Sequence, residues 1–297
     1  MSDKTVVEIS VIIPSYNQIG TIGRCINSLL KQKTDKTFEI IVVDSSTEKI
    51  QKEIEKICLI DPKVRLLKEP NQTFPGAARN IGIKAALGTI IALIDSDCLA
   101  DEFWLANIWA QMQDDMVLSG VIQNGTKKNV LGTCSYLIEF NHFVDFNQAS
   151  EEISAAATCN FACKKEIFDR YGYFSNRRAF EDFFFCDLLS KNGVKILRKK
   201  NISVTHLNRT SLNDICANQQ MLGKYSALVR KENGLPPQII FKMPIFAFGL
   251  IAFRYLSIST RLYNKKEGMK FLLYTPVIMY ILFYWAFGFF AGAKQKN

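Results

Sequence analysis

Two aspartates follow an apolar stretch of the sequence at close spacing. Asp95 and Asp97 come directly after "IIALI" and are separated by one residue. On extended backbone, side chains two residues apart face the same way, so the two carboxylates would lie together. Like charges repel at that distance unless a cation lies between them, and Mg²⁺ is commonly held by one or two carboxylates together with phosphate and water. The pair indicates either a divalent metal site for a phosphorylated ligand or a solvated acidic turn.

Two other stretches contain residue types suited to related chemistry. "FPGAARNIGI" (74–83) puts Arg79 one turn into a predicted helix, and a helix amino terminus with an arginine suits a diphosphate. "FEDFFF" (180–185) sets Glu181 and Asp182 among phenylalanines, where acids are costly unless they are paired or used in chemistry. The alternatives are a surface arginine on an amphipathic helix and an acid at the solvent edge of an aromatic face.

The elements that would position these residues alternate along the first hundred residues. Runs rich in β-branched residues, typical of buried strands, are 8–13, 38–44, 64–69 and 89–95. Runs with helical spacing of apolar residues are 19–32, 49–60 and 76–87. This order predicts an α/β fold in which a mostly parallel sheet is covered by helices on both faces. Beyond residue 120 the pattern predicts helices at 130–146, 177–193 and 211–234 and an extended segment at 194–207.

Polar stretches follow three of the predicted strands. In open parallel sheets, ligands bind outside the carboxyl ends of the strands. That rule brings "PSYN" (14–17), "DSST" (44–47) and "DSD" (95–97) to one edge of the sheet. We expect a ligand site at this edge.

The order of these motifs resembles that of family 2 glycosyltransferases. The matching stretches, over about residues 8–210, are "ISVIIPSYN" (9–17), "EIIVVDSST" (39–47), "GAARNIGI" (76–83), "ALIDSDC" (92–98) and the later "ED" (181–182). The resemblance implies a GT-A fold and an inverting transfer, of the hexosyltransferase type, from a nucleotide-diphosphate sugar. It also implies a divalent metal cofactor, Mg²⁺ or Mn²⁺.

The resemblance implies roles for individual residues. Those that match the nucleotide-sugar pocket are Pro14, Tyr16, Asn17, Asp44, Arg79 and Asp95. Those that match the metal site are Asp97, Asp95 and His206. Asp182 matches the general base, which takes the proton of the acceptor hydroxyl. Asn160, in a segment similar to the family's acceptor side, and Glu181 are expected near the acceptor.

Two departures from the family's pattern bear on function. Ser45 stands in "DSSTEK" where the family commonly has an acid, so we expect nucleotide recognition to differ in detail. The "QxxRW" motif of the processive members has no counterpart in "NQQMLGKYS" (218–226). This argues against a processive polysaccharide synthase that extrudes its product.

The charge and the cysteines limit the partners and the compartment. A formal net charge of +9 admits nucleic acid, anionic lipid or a phosphorylated substrate as partner. Basic residues near 224–270 favour anionic headgroups, so we expect no nucleic-acid partner. Eight scattered cysteines without zinc spacing indicate buried, reduced thiols. The amino terminus does not read as a signal peptide, which predicts a cytoplasmic catalytic domain.

Two C-terminal stretches are candidates for membrane contact. Residues 271–293 carry no charge over 23 residues, which is enough to cross a hydrocarbon core of about 30 Å. Residues 239–258 are interrupted by Lys242, Pro244 and Arg254, and they either span the membrane or lie in its interface. Whether there are one or two spans is left open.

The sequence predicts three parts and one activity. The parts are a GT-A glycosyltransferase domain (1–210), a connecting helix (211–237) and a membrane region of one or two helices (238–297). The predicted activity is metal-assisted transfer of a sugar to a hydroxyl of a lipid-linked or surface-glycan acceptor. We expect it at the inner or plasma membrane, on the cytoplasmic side, in cell-envelope polysaccharide synthesis. The alternatives are a non-catalytic membrane scaffold and a sugar nucleotidyltransferase, although "PSYNQIGTIGR" lacks the glycine-rich phosphate loop with a lysine that the latter usually needs.

Overall fold

The computed structural model describes residues 6–144, 148–235 and 238–295. Its strands are β1 (Ile9–Ser15), β2 (Phe38–Asp44), β3 (Val64–Lys68), β4 (Ile90–Leu93), β5 (Cys98–Ala100), β6 (Met116–Asn124), β7 (Ser150–Glu152), β8 (Phe161–Lys164) and β9 (Lys195–His206). Its α-helices are α1 (Ile19–Leu30), α2 (Glu48–Cys58), α3 (Pro75–Ala85), α4 (Trp104–Gln111), α5 (Val130–Glu139), α6 (Glu166–Tyr171), α7 (Glu181–Lys191), α8 (Leu212–Glu232), α9 (Ile239–Lys242), α10 (Leu250–Leu262), α11 (Gly268–Leu273) and α12 (Thr275–Lys294). Short 3-10 helices lie at Thr158–Asn160 and Pro244–Gly249.

The described strands form one sheet, in the order β3-β2-β1-β4-β8-β6-β9-β5 with β7 beside β9. The strands β3, β2, β1 and β4 are parallel. Every residue of β2 is buried, as expected of a parallel strand covered on both faces. Ser15 pairs with Asp44 at the last position of the β1–β2 register, so the polar residues that follow these strands meet at one edge.

Four strand pairs in the rest of the sheet are antiparallel. β8 is antiparallel to both β4 and β6, and β9 is antiparallel to both β5 and β7. The predicted α/β class is confirmed, but the sheet is mixed, and the expected parallel order holds for its first four strands. After β4 the strand–helix alternation becomes irregular, because β5 follows β4 without a helix between them. Antiparallel neighbours need no crossover helix.

The predicted elements of the first hundred residues are confirmed to within a few residues, and two later helices are shorter than predicted. α5 ends at Glu139, where the Asn141 side-chain amide donates a 2.9 Å hydrogen bond to the Ile138 carbonyl and satisfies one of the terminal acceptors. Residues 145 and 146 of the predicted helix 130–146 lie outside the described ranges. α7 begins only at Glu181, because Phe180 has a left-handed φ of 68° that a helix does not tolerate.

The described residues divide into two compact units. The first comprises residues 6–123 and 148–207 and contains the sheet, and the second comprises residues 124–144 and 208–295. The boundaries drawn from the sequence at residues 210 and 237 stay a prediction. All eight cysteines are free and buried, as expected of reduced thiols.

The second unit is helical, and its core contains Ala227, Trp285 and Phe289. Two of its segments, Ile245–Leu262 and Thr275–Lys294, are long and apolar enough to cross a membrane. Half of the second segment is buried within the protein, compared with 17% of the first. Length and composition therefore make both of them candidate spans.

Candidate active site

A buried aspartate lies at the carboxyl end of β2. Asp44 is fully buried, and its carboxylate accepts two hydrogen bonds from Ser46, 2.7 Å from the hydroxyl and 3.2 Å from the amide. The Ser46 hydroxyl in turn accepts a 2.7 Å hydrogen bond from the amide of Asn17, an exposed residue with a φ of 57° just after β1. These bonds hold together the ends of β1 and β2, where the nucleotide-binding residues are predicted.

Two serine hydroxyls at the same edge are buried without a partner. Neither Ser15 Oγ nor Ser45 Oγ has a hydrogen-bond partner among the described residues. The neighbouring Pro14 is half-buried, and Tyr16 is exposed. Buried polar atoms are nearly always hydrogen-bonded in native proteins. The two hydroxyls therefore suit a polar ligand at this edge.

A tight turn, not extended backbone, contains Asp95 and Asp97. The amide of Cys98 donates a 2.9 Å hydrogen bond to the Asp95 carbonyl and closes a four-residue turn between β4 and β5. Asp95 Oδ1 lies 2.6 Å from Arg79 Nη2, whereas Asp97 Oδ1 lies 3.4 Å from His206 Nε2. The expectation of extended backbone at these two residues is wrong, because β4 ends at Leu93 and the backbone turns before Asp97. A shared metal role for the two carboxylates stays a prediction.

Arg79 lies between two carboxylates. It is 2% exposed, and its Nη1 donates a 2.8 Å hydrogen bond to Glu181 Oε1 while its Nη2 bonds Asp95. Burial alone would lower the pKa of Arg79, but Asp95 and Glu181 outweigh burial and hold that pKa above its usual value. The guanidinium thus joins α3, the turn after β4 and the start of α7, and Glu181 is committed to this ion pair.

The approach of α3 to α7 depends on a glycine. A β-carbon on Gly76 would lie 2.8 Å from the Ser175 carbonyl oxygen and 3.0 Å from Glu181 Cγ. Asn80, one turn further along α3, exchanges two hydrogen bonds with the backbone of Phe174, at 2.8 and 3.1 Å. The "GAARN" motif therefore fixes the segment that leads into Glu181 and Asp182.

Asp182 lies in the first turn of α7, where the helix dipole favours a carboxylate. It is half-buried, and its Oδ1 accepts a 2.8 Å hydrogen bond from the amide of Phe183. Burial, followed by the charge of Glu181, raises the pKa of Asp182 to about 6. A carboxylate with such a pKa is ionised at neutral pH and is a stronger base than an ordinary aspartate, which suits it to accept a proton.

The left-handed backbone conformation of Phe180, two residues before Asp182, predicts local backbone strain that can be tested. We expect Phe180→Gly to be about 1 kcal/mol more stable than Phe180→Ala, because a β-carbon is unfavourable in this conformation and both variants remove the same ring. At Phe183, which is exposed on the same helix, the order should reverse by about 0.5–1 kcal/mol because alanine is the better helix former. Native-state hydrogen exchange of the first unit in the four variants measures both differences. An alanine variant at Phe180 as stable as the glycine variant would show that the backbone there is unstrained.

One group of described residues has the spacing of a metal site. The possible ligand atoms of Asp97, Cys98 and His206 all lie within 4.8 Å of one another. Asp97 and His206 are two of the three predicted metal ligands. The third predicted ligand, Asp95, is not part of this group. Cys98 is missed by sequence reasoning, because only the β5–β9 pairing, which sets Cys98 opposite His206, brings it there.

The donor set fits a divalent cation through its oxygen and nitrogen atoms. Burial, together with Cys159 and the nearby aspartates, raises the pKa of the Cys98 thiol well above its usual range. The Asp97 carboxylate supplies an oxygen donor and the His206 imidazole a nitrogen donor. Carboxylate and imidazole groups are both common ligands of divalent cations in proteins.

Asn160, predicted on the acceptor side, lies in the core of the first unit. It is fully buried, its Nδ2 donates hydrogen bonds of 3.2 Å to the carbonyls of Val121 and Ile202, and its Oδ1 accepts one of 2.9 Å from Trp104 Nε1. These bonds account for its burial without a ligand. Its expected contact with an acceptor stays a prediction that no bond in this arrangement supports.

Comparison with known proteins identifies the family. The family model "Glycosyl transferase family 2" matches residues 10–172, which is more than half of the chain. The chain belongs to this family.

Among relatives, an uncharacterized glycosyltransferase of Rickettsia felis is 44% identical over 92 residues, 31% of this chain and 15% of that protein. The glycosyltransferase GlyG of Streptococcus pneumoniae is 30% identical over 190 residues, 59% of this chain and 62% of that protein. The chain thus spans less than two thirds of either family 2 relative.

A solved structure shares the fold over nearly the whole chain. The mannosyltransferase PcManGT from Pyrobaculum calidifontis, in complex with GDP-Man and Mn²⁺, superposes with a TM-score of 0.63 at 18% identity, over 98% of this chain and 88% of that one. The GT-A fold predicted from the family 2 motifs is confirmed.

Proposed function

We propose that this family 2 chain transfers a sugar from a nucleotide-diphosphate sugar to a hydroxyl, with inversion at the anomeric carbon. The observation that carries the proposal is the arrangement at the start of α7. There the pKa of Asp182 is about 6, and the charges of Arg79 and Asp95 act on its carboxylate. Arg79 and Asp95 follow β3 and β4, two of the strands that end at the ligand edge of the sheet.

The donor binds at the carboxyl edge of the parallel strands. Ser15, Ser45 and Asn17 offer polar groups to the nucleotide, and Asp44 keeps acceptor capacity beyond its two bonds from Ser46. The complex of PcManGT with GDP-Man and Mn²⁺ supports a nucleotide-diphosphate donor and a divalent cation. Asp97 and His206 would hold the cation, which when bound supplies Lewis-acid stabilisation of the leaving diphosphate.

Asp182 takes the proton of the acceptor hydroxyl. As the hydroxyl oxygen attacks the anomeric carbon, its proton passes to the Asp182 carboxylate, while the bond from that carbon to the diphosphate breaks. Arg79 holds Asp95 and Glu181 in place through the two ion pairs, so the turn after β4 and the start of α7 keep a fixed relation. A single displacement inverts the anomeric centre and needs no covalent intermediate.

The acceptor is a lipid-linked or surface glycan at a membrane. Two candidate spans in the second unit and the basic residues around them support attachment to a membrane with anionic lipid. We place the catalytic unit on the cytoplasmic side, where nucleotide-diphosphate sugars are made.

Release of nucleoside diphosphate from a donor panel tests this function. The panel contains GDP-mannose and several UDP-sugars, each with Mn²⁺, Mg²⁺ or a chelator and with lipid-linked acceptors, in detergent. We expect release from one donor, faster with Mn²⁺ than with Mg²⁺ and abolished by the chelator. Failure to bind or turn over any donor under all three conditions would contradict the proposal and leave a non-catalytic scaffold.

Asp97→Asn should raise the Mn²⁺ concentration that gives half-maximal release by about tenfold or more, because the cation loses its only charged ligand of the proposed pair. Asp101→Asn, four residues along and exposed, is the matched control and should leave the Mn²⁺ dependence unchanged. An unchanged Mn²⁺ dependence in both variants would remove Asp97 from the metal site.

A further inference from the structure

The second unit exposes an unusual amount of apolar surface. More than half of the large apolar side chains that are exposed in the described residues lie between Met243 and Phe287. The most exposed include Phe253, Tyr263 and Met269, at 70%, 78% and 75%. We call the exposed apolar side chains from Met243 to Phe287 the apolar surface. A surface of this extent marks contact with a membrane or another protein.

Polar side chains of the same helices make their contacts within the unit. Arg254 lies over the Trp285 ring, 4.4 Å from its centroid, and its Nη2 is 3.5 Å from Gln219 Oε1. The hydroxyls of Tyr255 and Thr275 are 2.6 Å apart. The neighbouring Phe253 instead faces outward, so α10 has the polarity expected of a helix whose outer side meets lipid.

α12 has two different faces. On one face, Gly288 and Gly292 allow close contact with α8, because β-carbons there would lie 1.9 Å from the Gln220 carbonyl oxygen and 2.4 Å from that of Lys224. Phe283 lies on the opposite face by helix geometry, at 100° per residue, and is 49% exposed. One side of α12 is therefore fixed to α8, and the other belongs to the apolar surface.

The helix α8 is too polar to accompany α12 through a bilayer. Gly288 meets Gln220 and Gly292 meets Lys224 at the same residue offset, so the two helices run parallel and in step. The same offset places Asp214 level with the middle of α12, and Asp214 and Lys224 are both exposed. If α12 crossed the membrane in this arrangement, the charged Asp214 would lie at hydrocarbon depth, which is strongly unfavourable.

The charge around the apolar surface complements anionic lipid. Residues 238–297 contain eight lysines and arginines but a single acid, Glu267. Lys242 and Lys270 are exposed and directly adjoin the exposed Met243 and Met269 in sequence. Lys266 is also exposed, three residues from Met269. Exposed lysines next to apolar side chains are typical of helices that lie in the plane of the membrane interface.

We propose that α9 to α12 lie in the interface of an anionic bilayer on one side of the membrane, with the apolar surface in the lipid and α8 in water. Neither Ile245–Leu262 nor Thr275–Lys294 then crosses the bilayer. This inference refines the membrane attachment in the proposed function, and its test does not depend on catalysis.

Labelling of single cysteines tests the topology. Lys49→Cys on α2, Asn264→Cys between α10 and α11, and Gln295→Cys after α12 are made in the full chain, because all three positions are exposed and the eight native cysteines are buried. A membrane-impermeant maleimide is added to sealed vesicles of both orientations. We expect the three positions to be labelled from the same side.

Two other labelling patterns would overturn the proposal. Labelling of Asn264→Cys from the side opposite to Lys49→Cys would show a hairpin of two spans. Labelling of Gln295→Cys alone from the opposite side would show that α12 is a single span.

Vesicle binding tests the occupant of the surface. We expect full-length protein to bind vesicles of phosphatidylcholine with phosphatidylglycerol more tightly than phosphatidylcholine alone, and Lys266→Gln to weaken that binding about fivefold, the equivalent of ~1 kcal/mol for one basic residue. Phe253→Glu should weaken it at least as much, whereas Ile60→Glu, an equally exposed apolar residue of the first unit, should not. Equal binding by all variants, or a stable dimer without vesicle binding, would overturn the proposal; the dimer would assign the surface to a second copy.

Discussion

Asp182→Asn is expected to lower kcat for sugar transfer by about 10²–10⁴-fold, the usual contribution of a general base. The amide has the shape of the carboxylate but cannot take up the proton of the acceptor hydroxyl. Asp182 is neither a proposed metal ligand nor a donor-binding group. The Mn²⁺ dependence and the affinity for nucleoside diphosphate should therefore stay within about twofold of wild type. Steady-state kinetics with the identified donor and equilibrium binding of its nucleotide separate the two effects.

The pH dependence of kcat/KM is an independent test of the role of Asp182. The proton acceptor must be ionised, and the pKa of Asp182 is raised to about 6, so kcat/KM of the wild type should fall as the pH falls through about 6 and level off above it. Asp187→Asn, on the exposed side of the same helix and paired with Lys191, is the matched control and should retain both rate and profile. Wild-type activity in Asp182→Asn would remove this residue from the mechanism.

Arg79→Met should destabilise the first unit by about 3–5 kcal/mol, because it leaves buried Glu181 without its partner. Most of that effect is the cost of an uncompensated buried charge, since a buried ion pair itself contributes little. The double variant Arg79→Met with Glu181→Met should therefore recover a large part of the lost stability. Because the chain has two compact units, native-state hydrogen exchange of the β1 amides is a better measure than a single unfolding transition.

An exposed pair serves as the control for the buried one. Lys52 and Glu48 form an ion pair of 2.7 Å on the surface of α2, with most of both side chains in solvent. Lys52→Met should change the stability by no more than about 0.5 kcal/mol. An Arg79→Met variant as stable as Lys52→Met would show that the Asp95–Arg79–Glu181 arrangement does not organise the site.

The first four strands follow from the sequence because their signals are local. The apolar run 38–44 and the helical spacing in 19–32 identify elements without any knowledge of the tertiary structure, and their alternation implies parallel pairing. The antiparallel half of the sheet has no such pattern. The placement of α5 in the same unit as α8 and α12 also depends on packing between segments distant in sequence, which periodicity does not report.

The site residues also divide into those whose placement the sequence predicts and those whose placement it does not. The sequence brings Asp44 and Asp95 to the same edge of the sheet, because strand ends determine that edge. It does not predict that Arg79 pairs with Glu181, or that Cys98 faces His206, because each of these two contacts joins residues more than 100 positions apart. The expected common orientation of Asp95 and Asp97 fails on a local feature, a turn that begins two residues after β4.

Single displacement assisted by Asp182 is tested most directly by the configuration of the first product. Proton NMR of the reaction, with the donor that the panel identifies, follows the anomeric signal before any mutarotation of free sugar. From an α-linked donor we expect a β-linked product, because the acceptor oxygen enters opposite the leaving diphosphate. A product with retained α configuration would contradict a single displacement and with it the role of Asp182 as general base.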